Sequence, residues 1–199
     1  MTHMTRRAFG VTLAAGAAAT LLARPAAALD LASAKALIDR AIGEVNSVIN
    51  SGKSETAMYR DFEKIFAKYA DVSAIARSAL GPAARTASAA QMSAFTKAYQ
   101  GYISRKYGRR FREFIGGRIE VVDAKPLKSY FEVISVAHLQ GEAPFDLRWH
   151  VSNKSGRDLF FNIIIEGVNM LASEREEIGA MLKQQKGDID ALTAALAKA

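Results

Sequence analysis

Two histidines and two carboxylates are the residues that best suit acid/base chemistry. His138 and His150 lie in the same part of the chain as Glu132 and Asp146, and a histidine beside a carboxylate can act as a general acid or base. The sequence has no HExxH, GxSxG, P-loop or GxGxxG motif. A small isomerase- or hydrolase-like enzyme is therefore an alternative without a supporting motif, and we expect no catalytic site and no metal site.

The densest charged segment is basic, and aromatic residues are interleaved with it. This pattern is typical of nucleic-acid binding, in which cations contact phosphates and rings stack on bases. Helical spacing, however, puts the rings and many of the cations on different faces, which favours an ordinary solvated face. The basic residues are Arg105, Lys106, Arg109, Arg110, Arg112 and Arg118, and the aromatic residues are Tyr102, Tyr107, Phe111 and Phe114.

The first 28 residues resemble an export signal. Arg6 and Arg7, followed by Phe9, resemble the start of a twin-arginine signal, and small residues at 26–28 suit a cleavage site. The apolar run between them is shorter than the roughly 20 residues that span a bilayer. We expect residues 1–28 to be a signal peptide, exported by the twin-arginine route, and residues 29–199 to be periplasmic. Export argues against nucleic acid as a partner and against ATP- or NAD-dependent chemistry.

Composition fits a single globular domain over residues 29–199. That length suffices to bury a core, and an aromatic content of 9% argues against disorder. The net charge of the chain is +7, of which Arg6, Arg7 and Arg24 contribute three, leaving +4 for the domain. The chain has no cysteine, so neither a disulfide nor a thiolate metal site can form.

Apolar residues in the first half of the chain recur with the period of a helix. Asp71 suits the start of the third predicted helix, and Ser88 with Gln91 has the spacing of a capping box that opens the fourth. Gly116 and Gly117 follow the fourth helix and end it. The four predicted helices cover residues 31–49, 55–70, 72–80 and 88–114.

The period then changes to two, which predicts strands over residues 119–122, 130–139, 145–151 and 159–165. His150 alternates with apolar neighbours, so we expect it to be exposed. Helices return after Gly167, with a capping box at 173–176, an end near Gly187 and a last helix that Asp188 caps. This order predicts an α+β fold in which several helices pack on one face of an antiparallel sheet.

Two stretches resemble the MlaC, or toluene-tolerance (Ttg2), family of periplasmic phospholipid-binding proteins. The resemblance covers nearly all of residues 29–199. Asn162 and Asn169 depart from it, because many members carry Asp and Ser at these positions. The first stretch is 62–81 with 87–91, Phe95, Tyr99 and Tyr107, and the second is 162–171 with Arg175, Leu182, 187–190 and Leu192.

The resemblance implies a monomeric, soluble phospholipid carrier without a cofactor. Members of the family shuttle phospholipid between an outer-membrane lipoprotein complex and an inner-membrane ABC transporter complex with an MCE-domain subunit. The acyl chains lie in an apolar cavity between a curved sheet and the helices, while the headgroup stays near solvent. A hopanoid-associated branch shares much of the pattern, so the lipid type stays open.

Under this resemblance, apolar residues on the predicted helices and strands become candidates to line the cavity. Their periodicity alone favours a closed core, as in an interaction module without a cavity, and only the family resemblance favours a cavity. Arg105, Arg109, Arg110, Arg112 and Arg118 become candidates to attract headgroups or a membrane surface. The cavity candidates are Ile65, Phe66, Tyr69, Ile75, Leu80, Phe95, Tyr99, Tyr102, Phe111, Phe114, Ile134, Val136, Leu147, Trp149, Ile163 and Ile165.

Overall fold

A computed structural model describes residues 29–110 and 114–199. Over these residues the chain forms six α-helices and one antiparallel sheet of five strands, which is not closed into a barrel. The predicted α+β class is confirmed. The predicted signal peptide, residues 1–28, and the site candidates Phe111 and Arg112 lie outside the described residues.

Four helices precede the sheet and two follow it. The side chains of Asp30, Asp71 and Asp188 accept hydrogen bonds from backbone N–H groups at the starts of their helices, and each bond satisfies a donor that the helix leaves unpaired. Ser88 and Gln91 form the predicted capping box. The helices are α1 (Leu31–Ile49), α2 (Glu55–Tyr69), α3 (Val72–Leu80), α4 (Ala89–Arg110), α5 (Met170–Gln184) and α6 (Ile189–Lys198), with a 3-10 turn at Gly81–Arg85.

Helix α5 begins three residues before the predicted capping box. Asn169 is its N-cap, since the side-chain oxygen accepts from the N–H of Ala172 at 3.1 Å. The hydroxyl of Ser173 donates to the carbonyl of Asn169 instead of capping the helix. The prediction that the helix starts at Ser173 is wrong because Glu166 and Gly167, both at positive φ, turn the chain early.

The strands follow one another in the sheet in chain order. They are β1 (Arg118–Leu127), β2 (Tyr130–His138), β3 (Phe145–Ser152), β4 (Leu159–Ile165) and β5 (Val168–Asn169). Strand β1 is longer than predicted because it is an exposed edge strand whose residues need not alternate, with a bulge between Val121 and Asp123 and Pro126 near its end. The two-residue strand β5 was not predicted.

The register gives the sheet two chemically different faces. On the inner face, which packs toward the helices, Trp149 lies opposite Val133 and Ile163. On the outer face, His150 lies opposite Glu132 and Asn162. The outward direction of His150 agrees with its alternation, but the expectation of exposure is wrong, because only 8% of His150 is exposed.

The core divides into a closed part and an open part. Phe95 of α4 and Leu192 and Leu196 of α6 are fully buried in the closed part, where α4 packs on α6. No helix among the described residues is long and apolar enough to cross a membrane. The open part lies between the helices and the inner face of the sheet.

A candidate lipid site between the helices and the sheet

An apolar cavity of about 350 Å³ separates the inner face of the sheet from helices α1, α2, α4 and α5. Trp149 and Phe160 line it from the sheet, and Phe62 and Ile65 line it from α2. The Trp149 indole N–H donates to the hydroxyl of Ser135 at 2.9 Å, so the ring presents its apolar surface without an unpaired polar group. A cavity walled in this way favours hydrocarbon over water.

Nine of the sixteen cavity candidates from the sequence line this space. Their side chains come from α2, α3, α4 and strands β3 and β4, and from Phe114 just beyond α4, so the fold brings together residues up to 100 positions apart. Their role in lipid binding stays a prediction. The nine are Ile65, Phe66, Ile75, Tyr99, Phe114, Leu147, Trp149, Ile163 and Ile165.

Six other candidates lie elsewhere, for identifiable reasons. Tyr69 turns to Glu44, to which its hydroxyl donates at 2.7 Å, and Tyr102 turns to Glu177. Leu80 and Phe95 fill the closed core, where Phe95 stacks on Tyr99. The register corrects the assignment of Ile134 and Val136, because they lie opposite Arg148 and Asp146 on the outer face.

Sequence reasoning missed several residues that line the cavity. The sequence predicts an apolar stripe on α1. Nothing in its period indicates that Ala41, Ile42 and Val45 face a cavity instead of a closed core. Phe160 was missed because a bulge in the β3–β4 pairing interrupts the alternation of β4, and Met170 and Leu171 were missed because α5 begins early.

Charged residues mark the mouth of the cavity. Of the described residues that line it, only Arg110, Glu142 and Glu166 are exposed. They lie where α4 and β4 end and where the β2–β3 loop runs, so this end of the cavity opens to solvent. The mouth therefore carries both signs of charge, and it is not the purely basic rim that the sequence predicts.

The other headgroup candidates do not line the cavity. Arg105 donates to the carbonyl of Leu196 at 2.7 Å and so ties α4 to α6. Arg109 is exposed beside Arg110 without lining the cavity, and Arg118 lies 3.6 Å from Glu120 at the surface. Arg110 is thus the one headgroup candidate that the described structure places on the cavity.

A polar network joins α4 to α5 beside the cavity. The Lys106 ammonium lies 2.7 Å from Glu174 and 2.5 Å from Glu177, while Tyr107 donates to Glu174 and Tyr102 to Glu177. Burial alone would lower the pKa of Lys106, but the two carboxylates outweigh it and raise the pKa. Burial would likewise raise the pKa of Glu177, yet Lys106 and Tyr102 hold it below its usual value. Lys106 and Glu177 therefore stay ionised near neutral pH.

A second polar network covers part of the outer face. The N–H of Leu171 donates to Oδ1 of Asn162 at 3.1 Å, so the amide NH₂ of Asn162 faces Nδ1 of His150 at 3.4 Å. Nδ1 must then accept, and Nε2 carries the proton toward Glu132 at 3.4 Å. Burial lowers the pKa of His150 despite the carboxylate of Glu132. This hydrogen-bonding pattern requires neutral His150, because Nδ1 has to accept. Through Asn162 and Leu171 it also connects the sheet to the start of α5.

The titratable residues do not form a catalytic pair of histidines. His138 bonds to Glu120 at 2.9 Å, and the register places it six residues along β2 from Glu132, the partner of His150, or roughly 20 Å away. An open groove on the outer face, of about 630 Å³, has Glu132, Asp146 and Arg148 in its wall, so it suits water better than hydrocarbon. No cluster of three potential metal ligands occurs among residues 29–110 and 114–199.

Comparison with known proteins gives two findings. The family model described as MlaC protein matches residues 39–198. The fold is similar to that of a phospholipid-binding protein from Ralstonia solanacearum, whose structure was solved in complex with a phospholipid. The two share 16% sequence identity and superpose with a TM-score of 0.69, over 82% of this chain and 98% of that one. At this identity the structural likeness shows the fold.

Proposed function

Because the chain belongs to the MlaC family, we propose that it is a phospholipid carrier whose cavity holds the acyl chains. The observation that carries this proposal is the apolar cavity itself, lined by Trp149, Phe160 and residues of the surrounding helices. The Ralstonia protein of the same fold binds a phospholipid, which supports the same class of cargo here. Carriage of lipid needs binding and release and no chemical step, in keeping with the distance between His138 and His150.

The driving force for loading is the transfer of methylene groups from water to the cavity wall. Each buried methylene stabilises the complex by about 0.8 kcal/mol, so an acyl chain binds strongly enough to stay out of water. A bilayer offers the same chain a similar environment. The free energy of moving the chain from membrane to cavity is therefore close to zero. A carrier that both loads and unloads lipid requires this.

The charged mouth suits a headgroup that remains in water. The guanidinium of Arg110 can pair with a phosphate, and Glu142 and Glu166 repel a second negative charge. The proposal thus places the phosphate at the mouth and the acyl chains toward Ile65 and Trp149 at the closed end.

We further propose that the carrier works in the periplasm after export by residues 1–28. There it would shuttle phospholipid between an outer-membrane lipoprotein complex and an inner-membrane MCE-domain ABC transporter complex, and so help to maintain outer-membrane lipid asymmetry. Cell fractionation tests the location, and replacement of Arg6 and Arg7 by lysine tests the twin-arginine route, since a general secretory signal tolerates that change.

Lipid extraction tests the carrier proposal directly. Protein purified from cells should contain about one phospholipid per chain by mass spectrometry of the intact complex and of the extract. After removal of lipid, the protein should reload from phosphatidylcholine vesicles. Protein that holds no lipid and takes none from vesicles would contradict the proposal.

A further inference from the structure

Two buried polar atoms in the wall of the cavity have no hydrogen-bond partner among the described residues. They are the hydroxyl of Tyr99 and Oε2 of Glu174, on residues that are 0% and 3% exposed. Both residues line the cavity, Tyr99 from α4 and Glu174 from α5. A buried polar atom without a partner destabilises a fold, so such atoms usually have a partner that binds from outside.

The geometry of Glu174 leaves only one oxygen for such a partner. Its Oε1 already accepts from the ammonium of Lys106 at 2.7 Å and from the hydroxyl of Tyr107. Lys106 and Tyr107 both belong to α4, so they hold the carboxylate from one side. Oε2 therefore keeps a fixed position as a free acceptor.

Tyr99 is held equally firmly. Its ring stacks on Phe95 at 5.7 Å and lies 6.5 Å from the ring of Tyr102, so the side chain cannot turn away from the cavity. Burial, and then the negative charge of Glu174, raise the pKa of Tyr99 far above its usual value. The phenol thus keeps its proton and can both donate and accept a hydrogen bond.

We propose that Tyr99 and Glu174 form a polar subsite within the apolar cavity, and that this subsite binds an uncharged hydroxyl group of the lipid. This inference rests on the proposed lipid-carrier function. A hydroxyl can donate to Oε2 of Glu174, which a carbonyl ester cannot do, and it can also pair with a phenol. An ammonium group fits less well, because a cation would have to leave water to enter the apolar cavity.

Two sources can supply this hydroxyl. One is the free glycerol hydroxyl of a lysophospholipid, and the other is a hydroxyl on an acyl chain. Ordinary diacyl phosphatidylcholine has no hydrogen-bond donor and leaves Oε2 of Glu174 unpaired. The carrier should therefore prefer hydroxyl-bearing lipids over lipids that differ from them only in lacking the hydroxyl.

A competition experiment tests this preference. Lipid-free protein is incubated with vesicles that contain equal amounts of dioleoyl phosphatidylcholine and a phosphatidylcholine with 12-hydroxyoleoyl chains, and a second set replaces the latter by oleoyl lysophosphatidylcholine. Mass spectrometry then gives the ratio of the two lipids on the protein. We expect enrichment of at least one hydroxyl lipid by about tenfold, as for a hydrogen bond to a charged acceptor, and the arm that shows it identifies the source.

Three variants locate the effect. Tyr99→Phe removes only a hydroxyl that has no partner in the described structure, so it should fold normally and lower the enrichment about threefold. Glu174→Gln should lower it about tenfold. Tyr69→Phe is the matched control, because Tyr69 is equally buried but lies outside the cavity, and it should leave the ratio unchanged.

The outcomes separate this inference from the carrier proposal. Normal loading of dioleoyl phosphatidylcholine without enrichment of either hydroxyl lipid overturns the subsite and leaves the carrier intact. Enrichment that survives in both Tyr99→Phe and Glu174→Gln also overturns it. A wild-type protein that loads none of the three lipids overturns the carrier proposal and the subsite with it.

Discussion

Strands β3 and β4 present opposite chemistry on their two faces, and the contrast shows that burial and closure are different properties. On the inner face, Trp149 and Ile163 are apolar, yet protein atoms do not fill the space in front of them. On the outer face, His150 and Asn162 are polar and buried, yet their hydrogen bonds connect them to Glu132 and to α5. The apolar residues thus face a space that protein atoms leave empty, and the buried polar residues are covered.

The two faces therefore contribute to different properties of the molecule. The outer network adds to stability, because the buried side chains of His150 and Asn162 are hydrogen-bonded there. The inner face contributes less to stability than a filled core would, since its atoms lack contacts across the cavity. What it gains is an apolar surface that a ligand can cover.

The largest expected effect comes from a charge on the inner face. Ile163→Asp puts a carboxylate among the apolar side chains of the cavity wall, so lipid loading should fall at least tenfold. Ile164→Asp is the matched control, because its side chain points from the adjacent position into the outer groove. Lipid per protein, measured by extraction, gives the result. Equal loss in both variants, with both folded by circular dichroism, would contradict the division into two faces.

The next effect concerns the outer network. Asn162→Ala leaves the N–H of Leu171 and Nδ1 of His150 without their partner and should lower the free energy of unfolding by about 1–3 kcal/mol. Denaturant unfolding measures this loss. Asn153→Ala, in an exposed turn, should change stability by less than about 0.5 kcal/mol. Equal stability of Asn162→Ala and the wild-type protein would contradict the assignment.

A smaller effect is expected at the mouth, where the two faces meet. Arg110→Glu removes a cation from the cavity mouth and should slow lipid uptake from anionic vesicles about fivefold, since a basic residue near such a surface contributes about 1 kcal/mol. Arg109→Glu makes the same charge change one residue away, outside the cavity. Stopped-flow transfer of a fluorescent phospholipid separates the two variants, and identical rates would show that only net charge matters.

The smallest effect is a pH dependence of the outer face. Because the pKa of His150 is lowered in the folded state, the unfolded chain binds the proton first as the pH falls below about 6.5. Stability should therefore decrease from pH 6.5 downward, until the folded state also takes up the proton. Urea unfolding between pH 7.5 and 5.5 measures this decrease.

Asn162→Asp should weaken or reverse that dependence. The carboxylate still accepts from Leu171 but favours protonated His150, so it raises the pKa of the histidine. An unchanged pH profile in this variant would mean that other groups dominate the titration.

Much of the fold follows from the sequence, because local signals decide where elements begin. The stripe on α1, the caps at Asp71 and Asp188, and the alternation of β3 all gave elements that the structure confirms. The extent of β1 did not follow, since an edge strand with one exposed face and a bulge carries no strict period.

The site was less predictable, because periodicity identifies a face and not what lies opposite it. It correctly put Trp149 inward and His150 outward. It could not show that the rings of Tyr130, at 4.6 Å, and Phe161, at 5.7 Å, cover His150. Phe161 lies at a bulge, between Phe160 opposite Val151 and Asn162 opposite His150. Nor could it separate Phe95, in the closed core, from Tyr99, on the cavity, one helical turn away.

The irregular edge strand β1 affects whether the protein aggregates at high concentration. An open sheet edge is a template on which another strand can add, and repeated addition would polymerise the protein. In β1 the bulge between Val121 and Asp123 distorts the edge. Pro126 has no backbone N–H to donate, and Lys125 places a positive charge on the strand. These features make the addition of another strand to the edge of β1 unfavourable, and so oppose polymerisation through this edge at high protein concentration.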